Sequence, residues 1–106
     1  ETEYVEKARK LIFEESEYLS GELYKLGMTV FPSQANYLFF KGPEDLFEIC
    51  VRKNVLIRDC SNYPGLGKGF YRVAVRTHEE NEQLIRTIHD GLMEERKKAQ
   101  QEEEEQ

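Results

Sequence analysis

The sequence predicts an α+β domain in which a small, mostly antiparallel sheet is flanked by helices, an α/β sandwich. Three observations carry this expectation. Apolar patterns with three- and four-residue steps occupy both ends of the chain. Short β-prone segments bounded by Gly, Pro or Asn lie between them in pairs. One of these segments, Phe70–Arg76, alternates with a strict period of two.

Each element has its own signal. From Glu3 to Leu26, Tyr4, Val5, Ala8, Leu11, Ile12, Tyr18, Leu19, Leu23 and Leu26 recur mostly every three or four positions. One face of a long helix is therefore expected to be buried. Gly27 follows where a left-handed residue commonly ends a helix. Met28–Phe31 reads as a short strand stopped by Pro32, and Ala35–Gly42 as a second, aromatic-rich strand. Pro43–Lys53 places Leu46, Phe47, Ile49, Cys50 and Val51 at helical spacing. Pro43 suits the first turn, Arg52 and Lys53 the last, and Asn54 a left-handed cap. Val55–Ile57 is a buried strand by composition, and the loop "CSNYPGLGKG" follows it. In Phe70–Arg76, Tyr71, Val73 and Val75 alternate with Arg72, Ala74 and Arg76. Thr77 is an N-cap with Glu80 at capping-box spacing. Leu84, Ile85, Ile88, Leu92 and Met93 then form the buried stripe of a last helix.

The 106 residues suffice for one domain with one modest core. We expect that domain to span residues 1–93. Residues 94–106 form a charged tail, a helical extension or a disordered one, with no large apolar residue to add to the core. The chain opens inside a helical pattern without an initiator Met, so a piece of a longer protein is expected. The net charge of −6 argues against general nucleic-acid binding, although Glu102–Glu105 supply much of it and the basic residues can still cluster. No apolar run approaches the roughly 20 residues of a membrane span. Cys50 and Cys60 form no CxxC pair and have no His at metal-ligand spacing, so structural zinc is not expected. A reducing, cytoplasmic setting fits the two cysteines.

The candidate chemistry is cationic. Arg72 and Arg76 fall on one face of a strand with small Ala74 between them, and guanidinium groups match carboxylates and phosphates. The same spacing also allows two surface arginines bonded to acidic residues of a neighbouring helix. Arg58 stands at the end of an apolar run and before a Gly-rich loop, a common place for ligands; pairing with Asp59 is equally open. Asn36 can cap a turn or face a ligand, as can Tyr37 and Tyr63 at core edges. "GLGKG" leads into a strand, so it lacks the helix N-terminus of a phosphate cradle. His78 and His89 have no partners for a catalytic triad. The residues offer anion receptors and no nucleophile with its own base.

Two stretches, "FPSQANYLFFKG" and "VLIRDCSNYPGLGKGFYRVAVRTHEENEQLI", resemble the C-terminal small domain of fold-type I pyridoxal-phosphate enzymes. The likeness spans roughly residues 1–93. It points to the group of histidinol-phosphate aminotransferases and the threonine-phosphate decarboxylases of cobalamin synthesis. The resemblance implies that Arg72 holds a substrate carboxylate and that Arg58 meets a substrate phosphate. It places Asn36 and Tyr37 on the same pocket, and transfers no role to Arg76. It also implies pyridoxal 5'-phosphate as cofactor of the whole protein. That cofactor would be held by a large domain of the same polypeptide, through a lysine, an aspartate and a phosphate cup that have no match here. A homodimeric whole protein is implied, while this piece alone is expected to bind no cofactor and to be inactive. Three readings follow: the substrate-recognising domain of an aminotransferase, the same domain of a decarboxylase, or a free-standing small-molecule-binding or interaction module.

Overall fold

A computed structural model of the chain describes residues 2–32 and 36–105. The predicted strand start at Ala35 and the tail end at Gln106 lie outside them. The elements run α1 (Thr2–Lys25), β1 (Thr29–Phe31), β2 (Tyr37–Lys41), α2 (Leu46–Arg52), β3 (Arg58–Asp59), β4 (Phe70–Ala74) and α3 (His78–Glu105). The four strands form one sheet in the order β1-β2-β4-β3. All three pairings are antiparallel, so the expected α+β class with a small antiparallel sheet is what the chain adopts.

Strand alternation divides the sheet into two faces. Leu38 and Phe40 of β2 and Tyr71 and Val73 of β4 are buried. They share one core with Leu19 and Leu23 of α1, Leu46 and Cys50 of α2, and Leu84 and Ile88 of α3. The opposite parity carries Phe39, paired with Arg72, and Tyr37, paired with Ala74. On that face Phe31, Phe39 and Phe70 pack ring to ring at centroid distances of 5.4 to 6.2 Å. The helices therefore cover one side of the sheet, and the other side keeps polar and aromatic groups accessible.

Turn chemistry behaves as the residue types dictate. Gly27 has φ +90° after α1 and Asn54 has φ +60° after α2, the conformations that glycine and asparagine reach most easily. Thr77 Oγ1 accepts the Glu80 N–H at 3.2 Å and opens α3. The hydroxyl of Tyr71 donates to the Pro43 carbonyl, which also accepts the Leu46 N–H, so β4 is pinned to the turn before α2.

Five local expectations need correction. The stripe of α1 is sealed only in its second half. Leu19 and Leu23 are fully buried, whereas Tyr4 is 78% and Leu11 62% exposed, and Val5 is exposed as well. The reason is geometric. Helices α1 and α3 run parallel, with Glu15 and Tyr18 beside His78 at the start of α3, so the first dozen residues of α1 pass beyond its partner. Likewise α3 outruns α2 after the Lys53–Glu94 and Arg52–Glu95 ion pairs; Met93, just before them, is exposed and not part of the buried stripe. These two projections stretch the molecule to 64 Å and raise its radius of gyration to 15.7 Å, against about 13 Å for a compact chain of this size.

Val55–Ile57 is not a strand. The Val55 N–H turns back to the Cys50 carbonyl to close α2, Leu56 is exposed, and only Ile57 reaches the core. Ladder pairing begins at Arg58 and Asp59. Pro43 precedes α2 by a turn and does not lie in its first turn. Strand β4 ends at Ala74, because the Arg76 N–H is taken by the side-chain oxygen of Asn81.

Candidate functional site

The site grows from the register of β3 on β4. Arg58 pairs directly with Arg72, so both side chains leave the sheet on the same face. Cβ atoms of such a pair lie about 4.5–5.5 Å apart, and like charges placed there repel. Among the described residues neither guanidinium has an ion-pair partner. Arg72 is instead steered by an aromatic ring, with its guanidinium carbon 4.8 Å from the centroid of Tyr37. A cation over a ring face is oriented by the ring quadrupole and keeps its N–H groups free for an anion.

These residues share an open cleft of about 730 Å³, whose lining includes Arg58, Arg72, Arg76, Asn36, Tyr37 and Asp59. All four residues singled out from the sequence, Arg72, Arg58, Asn36 and Tyr37, thus stand around one space. Asn36 is placed by its backbone: its carbonyl accepts the Val75 N–H at 2.9 Å and continues the β2–β4 ladder by one bond. Tyr63 does not line the cleft. The alternative left open for Arg58, a pair with Asp59, does not form: Asp59 follows it on the strand and accepts the Ser61 N–H at 2.9 Å. Arg76 does have the acidic neighbour that the surface reading requires, Glu80 at 3.3 Å.

Sequence reasoning missed the rest of the lining. Phe47, Leu56, Ile57 and Ala74 form an apolar wall. Leu56 reaches it only because residues 55–57 leave the sheet. Asn81 was missed too. It is 1% exposed; its amide group donates to the Arg76 carbonyl and to Glu15, and its side-chain oxygen accepts the Arg76 N–H. A polar amide in the first turns of an otherwise well-patterned helix was the available signal.

The electrostatics agree with the geometry. Burial is the main cause that pushes the Cys60 thiol above its ordinary range, and the charges of Arg72 and Arg58 work against it. Cys60 thus lies within the field of both cations. The arrangement can receive an anion and orient it against an apolar wall. Among the described residues no group of three or more His, Cys, Asp or Glu side chains could hold a metal ion. None of the helices described is long and apolar enough to cross a membrane.

Comparison with known proteins identifies the family. The model of the family "Aminotransferase class I and II" matches residues 1–88. The chain is 35% identical over 97 residues to a histidinol-phosphate aminotransferase of Methanopyrus kandleri, covering 85% of this chain and 25% of that protein. It is 40% identical over 68 residues to a threonine-phosphate decarboxylase of Salmonella typhimurium, covering 61% of this chain and 19% of that one. The crystal structure of a histidinol-phosphate aminotransferase from Clostridium acetobutylicum superposes with a TM-score of 0.75 at 28% identity, over 83% of this chain and 28% of that chain. This chain therefore spans about a quarter of the length of the relatives it matches. It belongs to the class I and II aminotransferase family.

Proposed function

We propose that this chain is the C-terminal small domain of a pyridoxal-phosphate-dependent aminotransferase, and that its cleft receives the anionic end of the substrate. One observation carries the reading. Arg58 and Arg72 face each other across two strands, without an acidic partner among the described residues, on the rim of a cleft with an apolar wall. A structural role would pair at least one of them with a carboxylate. An anion bound between them removes their repulsion and gains charge-assisted hydrogen bonds from both. Tyr37 holds Arg72 in position before the anion arrives, and Asn36 adds an amide at the same rim. Fixing the acid group of a small amino compound fixes the bonds of the neighbouring carbon, and orientation of that kind lowers a barrier by sparing entropy.

The residues of the cleft do not fit the cofactor itself. Among the described lining residues there is no lysine to hold its aldehyde. In this reading the cofactor and the chemistry belong to the remaining three quarters of a protein of the relatives' length, which would also bring the homodimer. The decarboxylase relative makes the same domain of a decarboxylase the second reading. Turnover of histidinol phosphate and of threonine phosphate by the longest polypeptide that contains this chain separates the two.

The test is Arg72→Ala in that polypeptide. The net loss of one charge-assisted contact, about 1.5–3 kcal/mol, lowers kcat/KM by roughly 10- to 150-fold. Arg96→Ala, on the projecting end of α3, leaves it unchanged. Unaltered turnover in Arg72→Ala refutes the assignment.

A further inference from the structure

We infer that Glu15 is a positioning residue of the cleft, acting from α1 through Asn81 on the backbone of Arg76, and that protonation of His78 tightens this brace. The inference rests on the reading of the cleft as an anion receptor and adds a control over it.

Glu15 is out of place in the pattern of α1. It stands four residues after Leu11 and four before Leu19, a spacing that puts all three on one helix face. A carboxylate in such a stripe costs stability unless it is hydrogen-bonded. Its side chain is only 18% exposed, and two groups of α3 meet it. The Nδ1 atom of His78 lies 3.0 Å from one of its oxygens, and the Asn81 amide donates to the other at 3.0 Å.

Asn81 carries that contact on to the cleft. Its side-chain oxygen accepts the Arg76 N–H at 3.1 Å, and its NH2 group also donates to the Arg76 carbonyl at 3.0 Å. Arg76 lines the cleft, and the Val75 N–H before it donates to the Asn36 carbonyl on the same rim. The chain has left β4 by this point, so a side chain and not a sheet ladder fixes the Arg76 backbone. Capping does not require this. Thr77 already opens α3 by accepting the Glu80 N–H, whereas Glu15 comes from another helix.

His78 makes the brace sensitive to protons. From α1, Glu15 faces it together with Tyr18, whose ring centroid lies 4.7 Å from that of the imidazole. From α3, Glu82 lies 3.5 Å from Nε2, and Glu79 adds a further negative charge. The nearby cations are Arg86, paired with Glu82, and Arg76, two residues earlier. The hydrogen bond to Glu15 is the first cause that holds the His78 pKa above its ordinary 6.5. Below the raised value the imidazolium neutralises Glu15 and keeps it against Asn81. Above it, Glu15 and Glu82 have lost the cation between them. The Glu15 carboxylate then turns towards water, and the Asn81 amide is left a partner short. Anion affinity therefore falls as pH rises through the raised value. By linkage, an anion in the cleft raises the His78 pKa further.

The test titrates the 106-residue chain with sulfate, following backbone amide resonances at about pH 6 and about pH 8. Sulfate keeps its charge across this range. The parent binds it about two- to fivefold more tightly at the lower pH, the span of one partly exposed ion pair. Glu15→Ala binds weakly at both pH values. Glu15→Gln, whose amide oxygen still accepts from Asn81, restores tight binding without the pH dependence. His78→Gln also removes the dependence. His89→Gln, on the exposed side of α3, keeps it and so excludes an effect of net charge. A pH dependence that survives Glu15→Gln and His78→Gln, or parent-like binding by Glu15→Ala, overturns the brace. Should Glu15→Ala fail to fold, the slopes of Glu15→Gln and His78→Gln decide alone. Arg72→Gln tells the brace apart from the cleft. If it abolishes sulfate binding while the Glu15 and His78 variants change nothing, the cleft stands and the brace falls. If it binds as tightly as the parent, or if the parent binds no sulfate, the cleft reading falls and the brace with it.

Discussion

One chemical change, glycine to alanine inside a helix, is expected to have opposite signs at two positions. In a helix interior the added methyl restricts the unfolded chain and improves helix propensity by about 1 kcal/mol. At Gly21 of α1 a new Cβ meets nothing within 4 Å, so Gly21→Ala keeps that gain and stabilises by about 0.5–1 kcal/mol. At Gly91 of α3 the Cβ would lie 2.3 Å from Cγ2 of Ile49, where carbons ordinarily rest at about 3.5–4.0 Å. More than 1 Å of separation has to be found. Ile49 cannot supply it cheaply, because it is 2% exposed and its helix is tied to α3 by Arg52–Glu95 and Lys53–Glu94. Overpacking costs about 1–3 kcal/mol and sometimes more, which exceeds the propensity gain. Gly91→Ala should therefore destabilise by about 1–2 kcal/mol, and each kcal/mol lowers the Tm by about 4–8 °C in a domain of this size. Urea unfolding followed by circular dichroism gives both numbers. In a double-mutant cycle, Ile49→Ala should absorb part of the Gly91→Ala penalty, because it removes the clashing methyl. If Gly91→Ala stabilises as much as Gly21→Ala, the close crossing of α2 and α3 is wrong.

Two further predictions concern titratable groups. The hydrogen bond from His78 to Glu15, at 3.0 Å, is the first cause that raises the His78 pKa above its ordinary 6.5. A raised folded-state value means that His78 adds stability below the ordinary value and loses it as pH climbs through the raised one. The Tm difference between parent and His78→Gln should be larger near about pH 6 than near about pH 8; a constant difference would contradict the coupling. Burial pushes the Cys50 thiol up to about 11, and Cys60 is buried as well. A thiol reagent at about pH 8 should therefore label neither until urea unfolds the chain. Labelling of Cys50 in native buffer at the rate of a free thiol would show that α2 opens.

Much of this was legible in the residue pattern, and the exceptions share a cause. Phe70–Ala74 was readable because period two and one buried face coincide in a strand at the middle of the core. The start of α3 was readable because Thr77 and Glu80 satisfy local hydrogen bonds that depend on nothing distant. The apolar stripe of α1 was also read correctly as a pattern, but burial needs a partner. No periodicity reports that α3 begins only beside Glu15. Val55–Ile57 has the composition of a strand, yet one backbone hydrogen bond from Val55 to Cys50 decides otherwise. In the cleft, the arginines, Asn36 and Tyr37 were visible as chemistry. Leu56 and Phe47 were not, because their part depends on where the chain folds back; nor was Asn81, which holds the Arg76 backbone from outside the cleft.

The anion cleft and the hydrophobic interior are two readings of the same five residues. Along β4 the odd members Tyr71 and Val73 go inward, and Arg72 and Ala74 go outward to the cleft. Inserting or deleting a single residue in that segment would drive a guanidinium into the hydrocarbon and strand a valine in water. The chain therefore has no route by which the site can drift in frame while the fold survives. Whatever diversifies the ligand must do so by exchanging side chains in place.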